Sequence, residues 1–243
     1  MIAGAASFDN LVKKVKEMSE RSAVLLGATG LVGRELLSLL LESNVYSQIT
    51  ILVRNKLLIQ HEKLKQVEVN FDELYKYEDE FKVDDVFCCL GTTMKKAKTK
   101  ANFLKVDYEY PLAAAKLAEK KRVRNFLTIT AIGADLRSPI FYNKVKGQTE
   151  EDICHLYIRS THFFRPSLLL GQRSEIRLGE KIGEYALKSV SMFLIGKWRK
   201  FKPIKAENVA KAMLEAALEE RSGVHVHESD VIYYGNCHGA VTN

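Results

Sequence analysis

The sequence predicts an α/β protein of three layers, with helices on both faces of a doubly wound, mostly parallel sheet. Three observations carry this expectation. Short apolar runs alternate with helical patterns along most of the chain, the signature of βαβ units. The run at 86–90 (VFCCL) is apolar throughout, as a strand covered on both faces should be. Only four prolines and no repeat or low-complexity linker interrupt the 243 residues, a length that a single α/β domain fills.

The elements follow in order. Phe8, Leu11, Val12, Val15 and Met18 recur at helical spacing, so residues 7–19 read as an amphipathic helix with a packing face. Strands are expected at 23–26, 49–53, 67–69, 86–90, 126–130 and 162–164. Helices are expected at 30–42, 103–121 and from about residue 140. Beyond Pro166, helices near 178–195 and 206–220 read as a C-terminal extension that shapes a substrate pocket on the same sheet, so 1–243 is one domain.

Composition narrows the class. Hydrophobic residues make up 47% of the chain and charged residues 28%, enough apolar surface for a real core. Four cysteines without CxxC or zinc-like spacing predict a reduced protein, and with no signal-like or membrane-spanning run the expected compartment is the cytoplasm. Adjacent Cys88 and Cys89 should point to opposite faces of their strand as small buried residues. The net charge of +7 is scattered apart from Lys95, Lys96, Lys98 and Lys100. It reads as solvated surface and as attraction for an anionic ligand, with no nucleic acid expected.

The strongest motif spans residues 22–37, where Gly27-x-x-Gly30-x-x-Gly33 follows a strand and opens a helix. In that setting the first glycine permits a sharp turn, the second lets backbone approach a pyrophosphate, and the third lets the helix pack close. The helix N-terminus adds free N–H groups and a positive dipole end. Gly27, Thr29, Gly30, Leu31, Val32 and Gly33 are therefore candidate contacts for a dinucleotide on a Rossmann fold. At the end of the second strand stands Arg54, where an acid would select the bare ribose of NAD. A guanidinium suits a 2′-phosphate, which favours NADP over NAD. Leu90, Gly91 and Thr92 end the fourth strand, where open α/β sheets gather ligands.

Tyr142 and Lys146 are spaced i, i+4 and share a helix face, so both can reach one site. A tyrosine hydroxyl gives up its proton more readily beside an ammonium, which suits it to acid–base work near neutral pH. His225 and His227 suggest a metal pair, but without a third ligand at useful spacing they read as part of a surface strand. Cys154 beside His155 lacks an orienting partner motif and is not expected to be a nucleophile.

Taken together, GATGLVG, the FCCLGTT run at 87–93, Val106-Asp107-x-x-Tyr110, Gly133-Ala-Asp135 and Tyr142-x-x-x-Lys146-Gly147 resemble the Tat-interacting-protein-like oxidoreductase group of atypical short-chain dehydrogenases/reductases. The resemblance covers roughly residues 23–213. It implies bound NADPH and a catalytic Tyr142–Lys146 pair, with Lys146 also reaching the nicotinamide ribose. The family's third residue is a serine, whose counterpart here is Thr130, with Ala131 the next position to it. Asn70 matches the position that touches adenine, and Arg165 lies in a segment that lines the nicotinamide side in related enzymes. Two functions fit: an NADP(H)-dependent oxidoreductase acting on a carbonyl or hydroxyl of a small molecule, or an NADPH-binding sensor acting through a protein partner. A homodimer fits either reading.

Overall fold

Strand β1 (Arg21–Leu26) is apolar on both sides because two separate cores need it. Ala23 and Leu25 face one buried cluster, and Val24 and Leu26 face the other. Fully burying a residue of leucine size is worth about 1.5–3 kcal/mol, so each half of the alternation stabilises a different layer. The computed structural model describes residues 20–170, 201–219 and 221–234. The helices expected at 7–19 and 178–195 lie outside the described residues.

The chain leaves β1 through a glycine turn into helix α1 (Leu31–Glu42), then forms β2 (Tyr46–Val53) and β3 (Leu64–Glu68). A kinked 3₁₀ segment (Phe71–Phe81) leads to β4 (Asp85–Cys88). Two short helices follow, α2 (Met94–Ala97) and α3 (Lys100–Leu104), capped by the hydroxyls of Thr93 and Thr99. A π-helical turn (Lys105–Glu109) then joins α3 to α4 (Tyr110–Lys121). Strand β5 (Asn125–Ile129), helix α5 (Phe141–Cys154) and β6 (Ser160–Arg165) come next. After the small pair β7 (Leu169–Leu170) and β8 (Ile204–Lys205), α6 (Ala206–Leu218), β9 (Gly223–Glu228) and α7 (Ser229–Tyr234) complete the described chain.

The main sheet has seven strands in the order β3-β2-β1-β4-β5-β6-β9, and every pairing in it is parallel. Strand order reverses between β1 and β4, which opens a crevice at their C-terminal ends. Helices α1 and α6 cover one face through Leu36, Leu40, Val209 and Met213. Helices α4 and α5 and the 3₁₀ segment cover the other through Ala114, Ala118, Ile153 and Phe81. Cys88 joins this second cluster and Cys89 packs against the first, the opposed placement expected of neighbours on an extended chain. Among the described residues no helix is long and apolar enough to cross a membrane.

Two expectations need correcting. The single helix expected over 103–121 begins at Lys100 and is broken in register by the π turn. His225 and His227 do lie on a strand, β9, but their side chains are buried, not on the surface. The β6–β9 register sets His162 opposite His225 and Phe164 opposite His227. The His162 ring stacks on His225 at 4.7 Å and the His227 ring on Phe164 at 4.5 Å. His162 also exchanges hydrogen bonds with Ser160 Oγ at 2.8 Å and His227 Nε2 at 3.0 Å. All three imidazoles are buried, so stacking and ring-to-ring hydrogen bonds replace water around them.

Candidate functional site

The glycine turn is built by close contacts. Gly27 has φ +84°, and a Cβ there would lie 2.6 Å from the Cys89 carbonyl, so the turn pinches against the end of β4. A Cβ on Gly33 would meet the Gly27 carbonyl oxygen at 2.1 Å, so only glycine lets α1 start this close to the turn. Gly30 caps α1 without a side-chain hydrogen bond, and no acid occupies the first turn. The N–H groups there retain donor capacity and a positive dipole end, the arrangement that receives a pyrophosphate.

This turn forms one wall of a cleft of about 900 Å³. Of the residues picked out from sequence, Gly27, Thr29, Gly30, Arg54, Asn70, Leu90, Gly91 and Thr92 line it. Leu31 packs against the first core cluster, Val32 is buried within it, and Gly33 serves the turn itself. The cleft also takes in Lys56, Asp72, Asn102 and Lys105, which sequence reasoning did not select, with Lys96 of the lysine run and Tyr110 of the family motif. Cations therefore dominate its charged lining. The one acid among these residues, Asp72, accepts from the Tyr110 hydroxyl at 2.8 Å and from Lys105 Nζ at 3.0 Å, which hold its carboxyl below the usual range. The Asn70 side chain accepts from the Asp72 N–H and donates to Glu73, so it caps the 3₁₀ segment.

Helix α5 contributes no residue to that lining, so Tyr142 and Lys146 lie outside the cleft wall. Its close approach depends on Gly147, where a Cβ would fall 2.3 Å from the backbone of Asp135 and Leu136. Tyr142 packs its ring against Phe103 at 5.4 Å, and Lys100 Nζ lies 5.1 Å from the centre of the neighbouring Phe141 ring. One turn on, the Lys146 ammonium is buried behind Gly91, so close that a Cβ on Gly91 would lie 3.9 Å from it. Asp107, in the π turn, pairs with it at 2.8 Å. Burial works to lower the Lys146 pKa, but Asp107 first, with Tyr142 and Cys88, outweighs it and the net direction is upward.

Two candidates are placed elsewhere than expected. The Thr130 hydroxyl donates to Glu150 Oε1 and is buried, so it is turned into the protein and not towards a substrate. Arg165 donates to both carboxylate oxygens of Glu150 and to Glu228 at 2.9 Å, and its guanidinium belongs to this ion-pair network, not to the cleft lining. Glu150 explains both, since it is a buried acid that needs charge-assisted partners and the two residues supply them. Its signal was present in the sequence, two turns beyond Tyr142 on the same helix. Cys154 and His155 end α5, with the His155 ring bonded to the Glu151 carbonyl. Among the described residues no group of His, Cys, Asp and Glu is placed to hold a metal ion.

Residues 27–160 match the family model described as NAD(P)H-binding. Protein HTATIP2 of Rattus norvegicus is 34% identical over 211 residues, 85% of each chain. A protein of Candida albicans named FMP52, mitochondrial, is 31% identical over 210 residues, 83% of this chain and 90% of that one. In fold, the chain is similar to a UDP-N-acetylglucosamine 4-epimerase from Methanobrevibacter ruminantium, with TM-score 0.64 and 14% identity over 87% of this chain and 77% of that one. It is also similar to the Bordetella bronchiseptica enzyme WbmH solved with NAD+, with TM-score 0.64 and 14% identity over 86% and 76% of the two chains. With the glycine turn, the cleft and these relatives together, the chain belongs to the NAD(P)H-binding family, in the Tat-interacting-protein-like group of atypical short-chain dehydrogenases/reductases.

Proposed function

We propose that the protein is an NADP(H)-dependent oxidoreductase acting on a carbonyl or hydroxyl of a small molecule. The observation that carries this reading is the placement of Tyr142 and Lys146 one turn apart on α5, with the Lys146 ammonium directly behind Gly91, a residue of the cleft wall. The residues fit a dinucleotide. The first turn of α1 receives the pyrophosphate, and Asn70 and Asp72 lie on the wall suited to the adenine. Arg54, with Lys56 beside it, binds the 2′-phosphate, a charge-assisted contact worth about 1.5–3 kcal/mol.

The nicotinamide supplies or accepts the hydride when bound. The chain's own part is proton transfer and orientation. Tyr142 exchanges a proton at its hydroxyl with the substrate oxygen. Lys146 holds a fixed positive charge beside it and favours the anionic form of that oxygen. Thr130 takes no part, because its hydroxyl already serves Glu150.

Turnover of NADPH with a panel of aldehydes, ketones and quinones tests the reading. Tyr142→Phe should keep NADPH binding and lose about 10²–10⁴-fold in turnover, the usual worth of a positioned acid–base group. Equal turnover by wild type and Tyr142→Phe would remove Tyr142 from the mechanism. Tight NADPH binding without consumption of any panel member would favour a cofactor-sensing protein instead.

A further inference from the structure

We propose that Asp107 is a positioning residue of this site, fixing the Lys146 ammonium between Tyr142 and the Gly91–Thr92 turn. The proposal rests on the Tyr142–Lys146 reading above, and it concerns a residue outside that pair.

Asp107 is 1% exposed. A carboxylate so buried costs several kcal/mol unless it is paired and hydrogen-bonded. Both oxygens are engaged on the site. Oδ1 lies 2.8 Å from Lys146 Nζ, and Oδ2 accepts from the Thr92 N–H at 2.9 Å. A Cβ on Gly91 would meet Oδ1 at 3.5 Å, so the same carboxylate stands just behind the cleft wall. Oδ1 accepts no well-directed hydrogen bond, and its contact with Lys146 is an electrostatic one.

The backbone is shaped to put this carboxylate there. In an α-helix the Asp107 carbonyl would accept from the N–H of residue 111, but residue 111 is proline and has none. The chain widens into the π turn at Lys105–Glu109, and the carbonyl accepts instead from Thr149 Oγ1 at 2.9 Å, a hydroxyl on α5. Single π turns of this kind are frequent at functional sites. One residue thus ties α5 to the turn that ends in Thr92: its backbone and one oxygen meet α5, at Thr149 and Lys146, and the other oxygen meets the Thr92 N–H.

The groups facing the Lys146 ammonium are Asp107 from the π turn, Tyr142 from its own helix, Cys88 from β4 and the Ile129 carbonyl at 3.5 Å. Burial pushes the Cys88 thiol up to about 11, so it brings no charge at neutral pH. Asp107 is the largest of the influences that offset burial at Lys146. Without that carboxylate the largest influence opposing burial is gone, and buried lysines lose protons well below their ordinary range.

Asp107→Asn and Asp107→Glu, made in the full chain, test the role. The alkaline limb of the kcat–pH profile should move down by at least about one pH unit in Asp107→Asn and return towards wild type in Asp107→Glu. A uniform fall in kcat with the limb unmoved overturns the proposal, because loss of packing alone would do that. A second readout needs no turnover. In NMR of 13Cε-labelled lysine, with Lys146→Met giving the assignment, Lys146 should titrate at lower pH in Asp107→Asn than in wild type. An unchanged titration overturns the proposal, whereas an inactive wild type with a shifted titration overturns only the Tyr142–Lys146 chemistry. If Asp107→Asn does not fold, Asp107→Leu with Lys146→Met should melt higher than Asp107→Leu alone, and a double variant that melts no higher overturns the pairing.

Discussion

Acid should unfold this protein through three buried imidazoles before its carboxylates matter. Burial, and then the charges of neighbouring rings and Arg221, push His162 from the ordinary 6.5 down to about 3. The same influences push His227 down to about 4. His225 is lowered as well, by burial first. A ring whose pKa is lower in the folded state leaves the unfolded chain holding more protons below pH 6.5, so stability falls as pH falls. Between about pH 8 and about pH 5, His162 and His227 each contribute a loss of about 2 kcal/mol, together about 4 kcal/mol, a large part of a typical domain's stability. The loss continues until the folded rings themselves take up protons, near 4 for His227. Urea unfolding followed by circular dichroism at the two pH values measures it. His227→Phe, which keeps a ring to stack on Phe164, should roughly halve the drop. Unfolding free energies that agree within about 0.5 kcal/mol at the two pH values, or a drop unchanged in His227→Phe, would refute the reasoning.

Three further outcomes concern the cleft and its surroundings. Arg54→Ala should weaken NADPH binding by about ten- to a hundredfold and leave NADH affinity alone, read by nicotinamide fluorescence; equal losses for both would remove the 2′-phosphate contact. Gly30→Val should lose at least about tenfold in NADPH affinity by calorimetry, since a side chain there stands at the mouth of α1. Its circular dichroism should stay native, and unchanged affinity in a folded variant would show that this turn does not hold the phosphates. Thr130→Val should cost about 1–2 kcal/mol in urea unfolding, because it leaves Glu150 short of a donor, while turnover stays within about threefold of wild type. A hundredfold fall in turnover would return Thr130 to the mechanism.

What the sequence disclosed follows from the range of the interactions involved. The β1–turn–α1 unit was legible because its causes are local: an apolar run, three glycines at fixed spacing and a helix directly after them. Arg54, Gly91 and Thr92 were legible for a related reason, since the ends of parallel strands in a doubly wound sheet meet at one crevice. The histidines of β9 were misread because their partners are remote. In GVHVHE the alternation puts His225 and His227 on one face, and a polar-looking face reads as solvent-facing until β6 brings His162 and Phe164 against it. Thr130 and Arg165 failed likewise, since each end of a strand was visible but the acid waiting there, Glu150, was not. The π turn left a clue that went unused: a proline four residues after an aspartate inside an otherwise helical stretch removes the N–H that the aspartate carbonyl needs.

Helix α5 shows why the hidden part matters for the visible part. Tyr142, Lys146 and Glu150 follow one another at four-residue intervals, and the last two sit in separate buried ion pairs, with Asp107 and with Arg165. Gly147, between them, lets the helix backbone touch the chain at Asp135 and Leu136. The helix is thus pinned at three points along fewer than two turns. Removing one partner of a buried ion pair costs about 3–5 kcal/mol, so both contacts hold the helix firmly. Tyr142 is the one member of the series that projects beyond this anchored stretch, half-buried against Phe103. Its position is consequently set in part by Gly147 and Glu150, which lie outside the cleft lining. Rigid support of that kind is what proton transfer at a fixed atom requires, because a displacement of about 1 Å at the reacting group can cost about a hundredfold in rate.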